Sequence, residues 1–316
     1  ALPLGDSAEY KELTEQGKSI KAANETYDRA ILTHNGIPET EADAMIAASF
    51  AWETKLAEGI YPVEVSYRDD YQQLIYNEYT PEALFELIPH FPLKDMLAAV
   101  GLGKASRFIV SEPEAIKTLN SIYTEENLPG IKAYLVANLL SSVAGYADTF
   151  SEELGNAWSN TVYGSSGKKP DDVRAYGVCD DLLNELLGKI YAEKYFDAAS
   201  REDIMEMVQE IFGVYKARLG AADWLGEETR RTAIEKLDTM TLRIGYPEVY
   251  RVDWSKVKVA ANKPLIENAL NISLELTRQS FALVDQPVNK DLWLMSANTV
   301  NAYYSPSDNS INFPAA

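Results

Sequence analysis

Residues 179–191 read Cys-Asp-Asp-Leu-Leu-Asn-Glu-Leu-Leu-Gly-Lys-Ile-Tyr and contain the densest apolar pattern in the chain. The apolar side chains recur every three or four residues, a spacing that places them on one face of an α-helix. They are Cys179, Leu182, Leu183, Leu186, Leu187, Ile190 and Tyr191. Because the pattern lasts for more than three helical turns, it predicts a long helix and a mainly α-helical fold.

Similar stripes predict helices on both sides of this stretch. The stripe that follows residues 38–40 consists of Met45, Ile46, Ser49, Trp52 and Leu56. Thr80-Pro81-Glu82 supplies the capping hydroxyl, first-turn proline and acid that begin a helix, and its stripe is Leu84, Leu87 and Ile88. Ser200 is predicted to begin a further helix, whose stripe is Ile204, Met207, Val208, Ile211 and Tyr215.

The pattern changes near residue 300. Residues 299–304, Thr-Val-Asn-Ala-Tyr-Tyr, are β-branched and aromatic and predict a strand. Residues 305–309 supply turn chemistry, and residues 310–313 predict a return strand. An isolated two-stranded hairpin is marginally stable in water, so we expect this hairpin to belong to a larger sheet.

Composition limits the classes of protein to which the chain can belong. Of the 316 residues, 46% are apolar and 24% are charged, which is typical of a globular protein that builds a core without disulfides. The formal net charge of −19 repels phosphate backbones and anionic lipids, so neither nucleic acid nor membrane is an expected partner. A cationic peptide would be attracted, although solubility alone also explains the charge.

The residues most often used in metal and nucleophilic sites are scarce. Cys179 is the only cysteine, and its apolar neighbours predict a buried small side chain rather than a nucleophile. His34 and His90 are the only histidines, and neither is followed by the Glu and second His of a zinc-protease helix. We therefore expect no metal site in this chain.

One glycine-rich stretch superficially suggests phosphate binding. Residues 163–170 read Tyr-Gly-Ser-Ser-Gly-Lys-Lys-Pro, but the glycines are too close together and no hydroxyl residue follows the first lysine. The stretch predicts an exposed loop between helices.

Several separate blocks resemble the neprilysin family of zinc endopeptidases. The C-terminal block comprises residues 293–295, 299–304 and 309–315, with the family's spacing from Asn301 to Phe313-Pro314-Ala315. Earlier blocks with the same resemblance are residues 53–57, 67–69, 187–191, 194–196 and 244–247, with Trp224, Thr229, Ala233, Lys236 and Leu237. Together they cover nearly the whole chain in order.

The resemblance implies a fold and a binding role. It predicts a helical cap domain over residues 1–250, then a linker helix and the first strands of a thermolysin-like catalytic domain over residues 251–316. Asn301 and Ala302 would hold the peptide substrate beside the active-site cleft. From the residues alone, a turn-capping Asn301 is favoured, and sheet packing remains the expectation for Tyr303 and Tyr304.

The resemblance also implies what this chain does not supply. In the family, the zinc helix, a glutamate ligand and further catalytic residues follow the Phe-Pro-Ala turn. We therefore expect a zinc-dependent parent enzyme, a peptide substrate, contact with the rest of the catalytic domain, and no activity from this chain alone. The alternative is a non-catalytic helical module that binds proteins or peptides. The single cysteine favours the cytoplasm of a bacterium, with a secreted or cell-surface location as the alternative.

Overall fold

The computed structural model describes residues 2–164 and 169–316. Twelve α-helices contain most of these residues, which confirms the predicted mainly α-helical fold. The helices are α1 (Glu15–His34), α2 (Glu39–Ala57), α3 (Tyr71–Leu74), α4 (Pro81–Leu87), α5 (Leu93–Ala99), α6 (Pro113–Ile122), α7 (Leu128–Ala147), α8 (Thr149–Tyr163), α9 (Asp171–Tyr195), α10 (Ala198–Ala221), α11 (Glu227–Asp238) and α12 (Leu265–Phe281). Short 3₁₀ helices occur at Ser7–Tyr10, Val63–Tyr67 and Trp254–Lys256.

In the part of the chain that the structure describes, five short strands form two sheets. They are β1 (Asn77–Tyr79), β2 (Phe108–Val110), β3 (Thr241–Gly245), β4 (Tyr303–Ser305) and β5 (Ser310–Pro314). Strands β1 and β2 form an antiparallel pair. The second sheet has the order β3-β5-β4, in which β3 runs parallel to β5 and β4 runs antiparallel to it. The predicted hairpin is therefore present, and β3 enlarges it into the expected larger sheet.

The chain divides into two compact units. The first comprises Ala1–Lys169 and Val259–Gln286, and the second comprises Pro170–Lys258 and Pro287–Ala316. Each unit uses a second segment from further along the chain. The domain boundary predicted after residue 250 stays a prediction.

The core of the first unit lies among the long helices α1, α2, α7 and α8. Ile31 and Leu32 of α1 pack with Ala42 of α2 and Ala144 of α7. Close packing of α2 on α7 depends on Gly130, since a Cβ there would lie 2.7 Å from the carbonyl oxygen of Ala48.

The helix predicted from the stripe after residues 38–40 is present, and the predicted start of the helix after Thr80 is confirmed. Helix α2 begins at Glu39, directly after Pro38. Helix α4 begins at Pro81, and the Thr80 side chain accepts a hydrogen bond from the Ala83 amide at 3.2 Å. The hydroxyl satisfies a donor that the first helical turn leaves unpaired.

The connection predicted over residues 163–170 is described only at its two ends. Helix α8 ends at Tyr163, and Gly164 adopts a left-handed conformation with φ of 65°. Residues 165–168 lie outside the described residues, so the prediction of an exposed loop is not tested there.

The long helix predicted around residues 179–191 is α9, and it differs from expectation in two ways. Its backbone leaves helical geometry at Leu183, where φ is −134° and ψ is 28°. Cys179 is exposed, so the prediction of a buried cysteine was wrong. Apolar spacing identifies the residues that a helix can bury, but burial of each one depends on what packs against it.

Helix α10 also differs from its predicted pattern. It begins at Ala198 rather than Ser200, because the Asp197 carboxylate accepts the Ser200 amide at 2.8 Å and is the true N-cap. Val208 is buried, as predicted. However, Met207, Ile211 and Tyr215 from the same predicted stripe are exposed. Helix α10 thus has a second apolar face that the described residues do not cover.

The core of the second unit joins α10 to the sheet. Phe196, Val208 and Ile244 form a buried cluster, and Phe313 of β5 packs against it. Gly245 ends β3 with φ of 88°, and a Cβ there would lie 2.4 Å from the Phe196 ring. Only glycine combines this backbone conformation with this closeness to the ring.

Candidate functional site

Asn301 and Ala302 lie at the surface of the second unit, immediately before β4. The strand predicted over residues 299–304 is shorter than expected, since β4 begins at Tyr303. The side-chain oxygen of Asn301 accepts a hydrogen bond from the Ala302 amide at 2.7 Å. This local bond keeps the Ala302 amide paired while both residues remain exposed.

The segment leads into the edge of the three-stranded sheet. Within the described residues, β4 pairs only with β5, so its other side is an open edge. Tyr303 is opposite Asn312 in the register. The Tyr303 hydroxyl also accepts a hydrogen bond from the Leu294 amide at 2.9 Å, and the Tyr304 hydroxyl donates to Asn309 at 3.2 Å. Both tyrosines therefore have structural contacts within the unit.

A buried polar cluster holds the sheet on the C-terminal side of the segment. Arg243 of β3 donates from Nη2 to the Asp308 carboxylate at 2.8 Å and from Nη1 to the Ser310 hydroxyl at 2.6 Å. Arg243 Nη2 also donates to the Lys290 carbonyl. Asn312 is fully buried, and its amide group donates to Ser310 Oγ at 2.9 Å. The cluster connects β3, β5 and the turn between β4 and β5.

The charge on Asp308 is stabilised within this cluster. Burial acts to raise its pKa, but hydrogen bonds from Ser305, Ser310 and Arg243 outweigh burial and hold the pKa of Asp308 below its ordinary value. The carboxylate is therefore ionised at neutral pH and remains paired with Arg243.

Helix α9 holds the chain on the N-terminal side of the segment. Asn298 donates from Nδ2 to the Asp180 carboxylate at 2.6 Å and to the Tyr176 hydroxyl at 3.0 Å. The Ser296 hydroxyl lies 2.7 Å from the Asn184 carbonyl oxygen, within hydrogen-bonding distance. Asn301 and Ala302 therefore lie between two anchors. The contacts with α9 hold the chain before them, and the Arg243 cluster holds the chain after them.

Sequence reasoning missed the residues of both anchors. A buried arginine on a strand and a paired aspartate on a helix have no short motif, because their partners lie far away along the chain. The partners of Arg243 named above are 47 to 67 positions away. The one available signal was Gly188 in the middle of a long helix, where glycine is unfavourable unless something packs closely against it.

The two histidines are not brought together. His34 contacts the Asp148 carboxylate at 2.9 Å and stacks on Phe150, whereas the His90 amide donates to the Asn120 side chain at 2.7 Å. Among residues 2–164 and 169–316, no group of three or more His, Cys, Asp or Glu side chains is arranged to hold a metal.

The first unit contains a separate cavity that acidic residues line. Its volume is about 580 Å³, and α1, α2, α7 and α8 line it. Asp28 and Glu53 both face it, and Tyr10 donates a hydrogen bond to Glu53 at 2.7 Å. Burial, with the nearby charges of Glu53 and Glu25, raises the pKa of Asp28 to about 7. Burial likewise raises the pKa of Glu53.

Comparison with known proteins identifies the family to which this fold belongs. Residues 1–247 match the N-terminal region of peptidase family M13. A neutral endopeptidase from Lactobacillus helveticus is 27% identical over 315 residues, which cover 99% of this chain and 47% of that protein. The chain therefore spans about half the length of the curated relatives that it matches.

None of the described helices is long and apolar enough to cross a membrane.

Solved structures show the same fold. PEPO from Lactobacillus rhamnosis has a TM-score of 0.88 and 23% identity, over 100% of this chain and 50% of that one. The zinc metalloprotease Zmp1 of Mycobacterium tuberculosis, in complex with an inhibitor, has a TM-score of 0.85 and 25% identity, over 98% of this chain and 46% of that one. These likenesses show a fold that this chain shares with both proteins. The chain belongs to peptidase family M13, the neprilysin family, which confirms the resemblance found in the sequence.

Proposed function

We propose that this chain supplies the helical cap and the substrate-binding strand of a zinc-dependent endopeptidase that hydrolyses oligopeptides and small polypeptides. The observation that carries the proposal is the exposure of Asn301 and Ala302 beside the open edge of β4, in a chain of family M13. Residues 1–250 would form the cap, which restricts the size of the substrate. Residues 251–316 would form the linker and first strands of the catalytic domain.

The peptide would bind as an added strand. An extended peptide recognises an open sheet edge through main-chain hydrogen bonds, which make few demands on its sequence. In the free chain, the side-chain oxygen of Asn301 accepts a hydrogen bond from the Ala302 amide at 2.7 Å. A peptide carbonyl would replace that bond, and the released Asn301 side chain would then bond the peptide. The net charge of −19 would favour cationic peptides.

Zinc and the chemical step would belong to the remainder of the parent protein. The described residues offer no metal site, so we propose that this chain alone is inactive. Contact with the rest of the catalytic domain is supported by the uncovered apolar face of α10, at Met207, Ile211 and Tyr215. A location in the bacterial cytoplasm stays a prediction.

Amide chemical shifts of the ¹⁵N-labelled chain test the peptide site. We expect an acetylated, amidated hexapeptide of alternating lysine and leucine to shift the Ala302 and Tyr303 signals. Asn301→Ala should weaken binding about tenfold, through loss of a side-chain hydrogen bond that the bound peptide would shield from water. Asn289→Ala is the matched control, because exposed Asn289 also accepts a nearby amide, from Asp291 at 2.9 Å. Shifts confined to other regions would remove the proposed site.

A separate assay tests whether this chain alone can cleave a peptide. The purified chain with added zinc should leave a fluorogenic peptide intact over hours. Stoichiometric zinc binding together with chelator-sensitive cleavage would show that the chain holds its own catalytic centre, and the proposal of an inactive part would be wrong.

A further inference from the structure

Three residues of α9 form a notch that receives the chain just before Asn301. Asp180, Asn184 and Gly188 are spaced four residues apart, and each contacts segment 296–298. Asp180 contributes a carboxylate, Asn184 a backbone carbonyl and Gly188 an open surface. We call these three residues the α9 notch.

Gly188 allows the backbone of the segment to approach the helix closely. A Cβ at this position would lie 2.2 Å from Ser296 Oγ and 2.8 Å from the Ala297 backbone nitrogen. Both distances are shorter than any normal contact, so an alanine would push the segment away. Glycine in a helix interior is otherwise unfavourable relative to alanine, so its presence here has a specific structural reason.

The polar contacts fix the direction of the segment. The Asn298 amide group donates to the Asp180 carboxylate at 2.6 Å, a charge-assisted bond that is stronger than a neutral one. The Asn298 side-chain oxygen lies 2.6 Å from the Ser296 hydroxyl, within hydrogen-bonding distance. The Thr299 amide donates to the Ser296 carbonyl at 3.1 Å, which closes a turn directly on the notch.

The backbone of α9 departs from helical geometry beside this contact. The non-helical residue Leu183 lies between Asp180 and Asn184, the two residues that bond the segment. The segment then continues to Asn301, three residues after Asn298. Asn301 and Ala302 lie between the notch and the start of β4 at Tyr303. A shift of segment 296–298 on α9 would therefore also shift Asn301 and Ala302.

We propose that the α9 notch is a positioning device that sets where Asn301 and Ala302 meet a peptide. The inference rests on the proposed function, and it assigns to α9 a role in substrate recognition through segment 296–298. Asp180 and Gly188 would act as positioning residues, since each contacts segment 296–298 rather than Asn301 or Ala302.

Two glycine variants in the same helix test the inference. A Cβ at Gly177 would meet nothing within 4 Å, so Gly177→Ala is the matched control for Gly188→Ala. Hydrogen exchange of residues 296–304 should become faster in Gly188→Ala and stay unchanged in Gly177→Ala. Affinity for the lysine–leucine hexapeptide should fall about tenfold in Gly188→Ala alone, because misplacing a binding group by about 1 Å is costly.

Exchanging the side chains at positions 180 and 298 distinguishes a positioning role from a general effect on stability. Asn298→Asp places a second carboxylate against Asp180, so exchange should become faster and affinity should fall. Adding Asp180→Asn restores a hydrogen bond of opposite polarity, with the donor now on the helix. We expect the double variant to recover affinity to within about threefold of the original, which is roughly 0.6 kcal/mol.

Each outcome decides the inference. Unchanged exchange in Gly188→Ala would overturn it, whether or not the peptide binds. Faster exchange with unchanged affinity would show that the notch is structural only and would also overturn it. If the original chain binds no peptide, the proposed function fails and the positioning role fails with it, while the exchange result still shows whether the notch holds the segment.

Discussion

The guanidinium group of Arg243 lies 2.8 Å from the carboxylate of Asp308, and both side chains are largely buried. The two residues are 65 positions apart, and their contact ties β3 to the turn between β4 and β5. Because β3 and β5 are parallel, a tight hairpin cannot connect them. The ion pair is therefore one of the contacts that bring β3 to the β4–β5 hairpin.

Removing Arg243 should destabilise the second unit strongly. Arg243→Ala leaves Asp308 buried without its charged partner, and breaking a buried pair typically costs about 3–5 kcal/mol. Denaturant unfolding followed through the amide signals of β5 would measure the loss. Arg68→Ala is the control, because the exposed Arg68–Asp70 pair should contribute less than about 1 kcal/mol. Equal effects of the two variants would contradict the structural role of Arg243.

Gly245→Ala should also be severely destabilising. The left-handed backbone, with φ of 88°, disfavours any side chain, and the new Cβ would lie 2.4 Å from the Phe196 ring. Together these effects should cost about 3 kcal/mol or more. Gly226→Ala should change the unfolding midpoint little, since a Cβ at Gly226 meets nothing within 4 Å. A stable Gly245→Ala variant would show that β3 and Phe196 pack less closely than described.

Stability of the first unit should fall as the pH rises. The folded-state pKa of Asp28 is about 7, whereas its ordinary value is 3.8. The folded state therefore holds this proton more strongly, so ionisation of Asp28 opposes folding from about pH 4 to about pH 7 and adds nothing further above that range. Glu53 acts in the same direction, because burial also raises its pKa.

Replacement of Asp28 isolates its part of this pH dependence. Asp28→Asn should stabilise the chain at pH 8 by about 2 kcal/mol, because it removes a carboxylate whose ionisation opposes folding. The value is smaller than the full pKa shift would give, since the site is only partly shielded from water. At pH 4 the two proteins should differ little. Asp69→Asn at an exposed position should have no such pH-dependent effect. An unchanged pH profile in Asp28→Asn would show that Asp28 is hydrated in solution.

The native chain should react with thiol reagents. Cys179 is exposed on α9, and it is the only cysteine. A maleimide should label the folded chain completely without denaturant, and Cys179→Ser should abolish labelling. If labelling required denaturant, the original expectation of a buried cysteine would be restored.

Helix identity was predictable because it depends on local patterns. The apolar spacing around residues 179–191 predicted α9, and the Thr80-Pro81 pair predicted the start of α4. These signals were sufficient because capping and helical periodicity involve residues within a few positions of one another. The precise start of α10 was missed, since Asp197 competed with Ser200 as the cap and captured its amide.

Burial was less predictable than helix identity. Val208 and Met207 are neighbours in one predicted stripe, yet Val208 is buried and Met207 is exposed. The sequence shows that both can be buried, but only the elements packed against α10 decide which one is. Cys179 was misjudged for the same reason.

The sequence by itself determined the helical class, the C-terminal hairpin, the family resemblance and the choice of Asn301 and Ala302 as candidate peptide-binding residues. Only the tertiary structure revealed that β3 joins the hairpin, that Arg243 pairs with Asp308, and that α9 receives segment 296–298. The physical reason is the range of the interactions. Periodicity, caps and turns are local, whereas a parallel strand pair, a buried ion pair and a glycine notch depend on groups that folding brings together from distant parts of the chain.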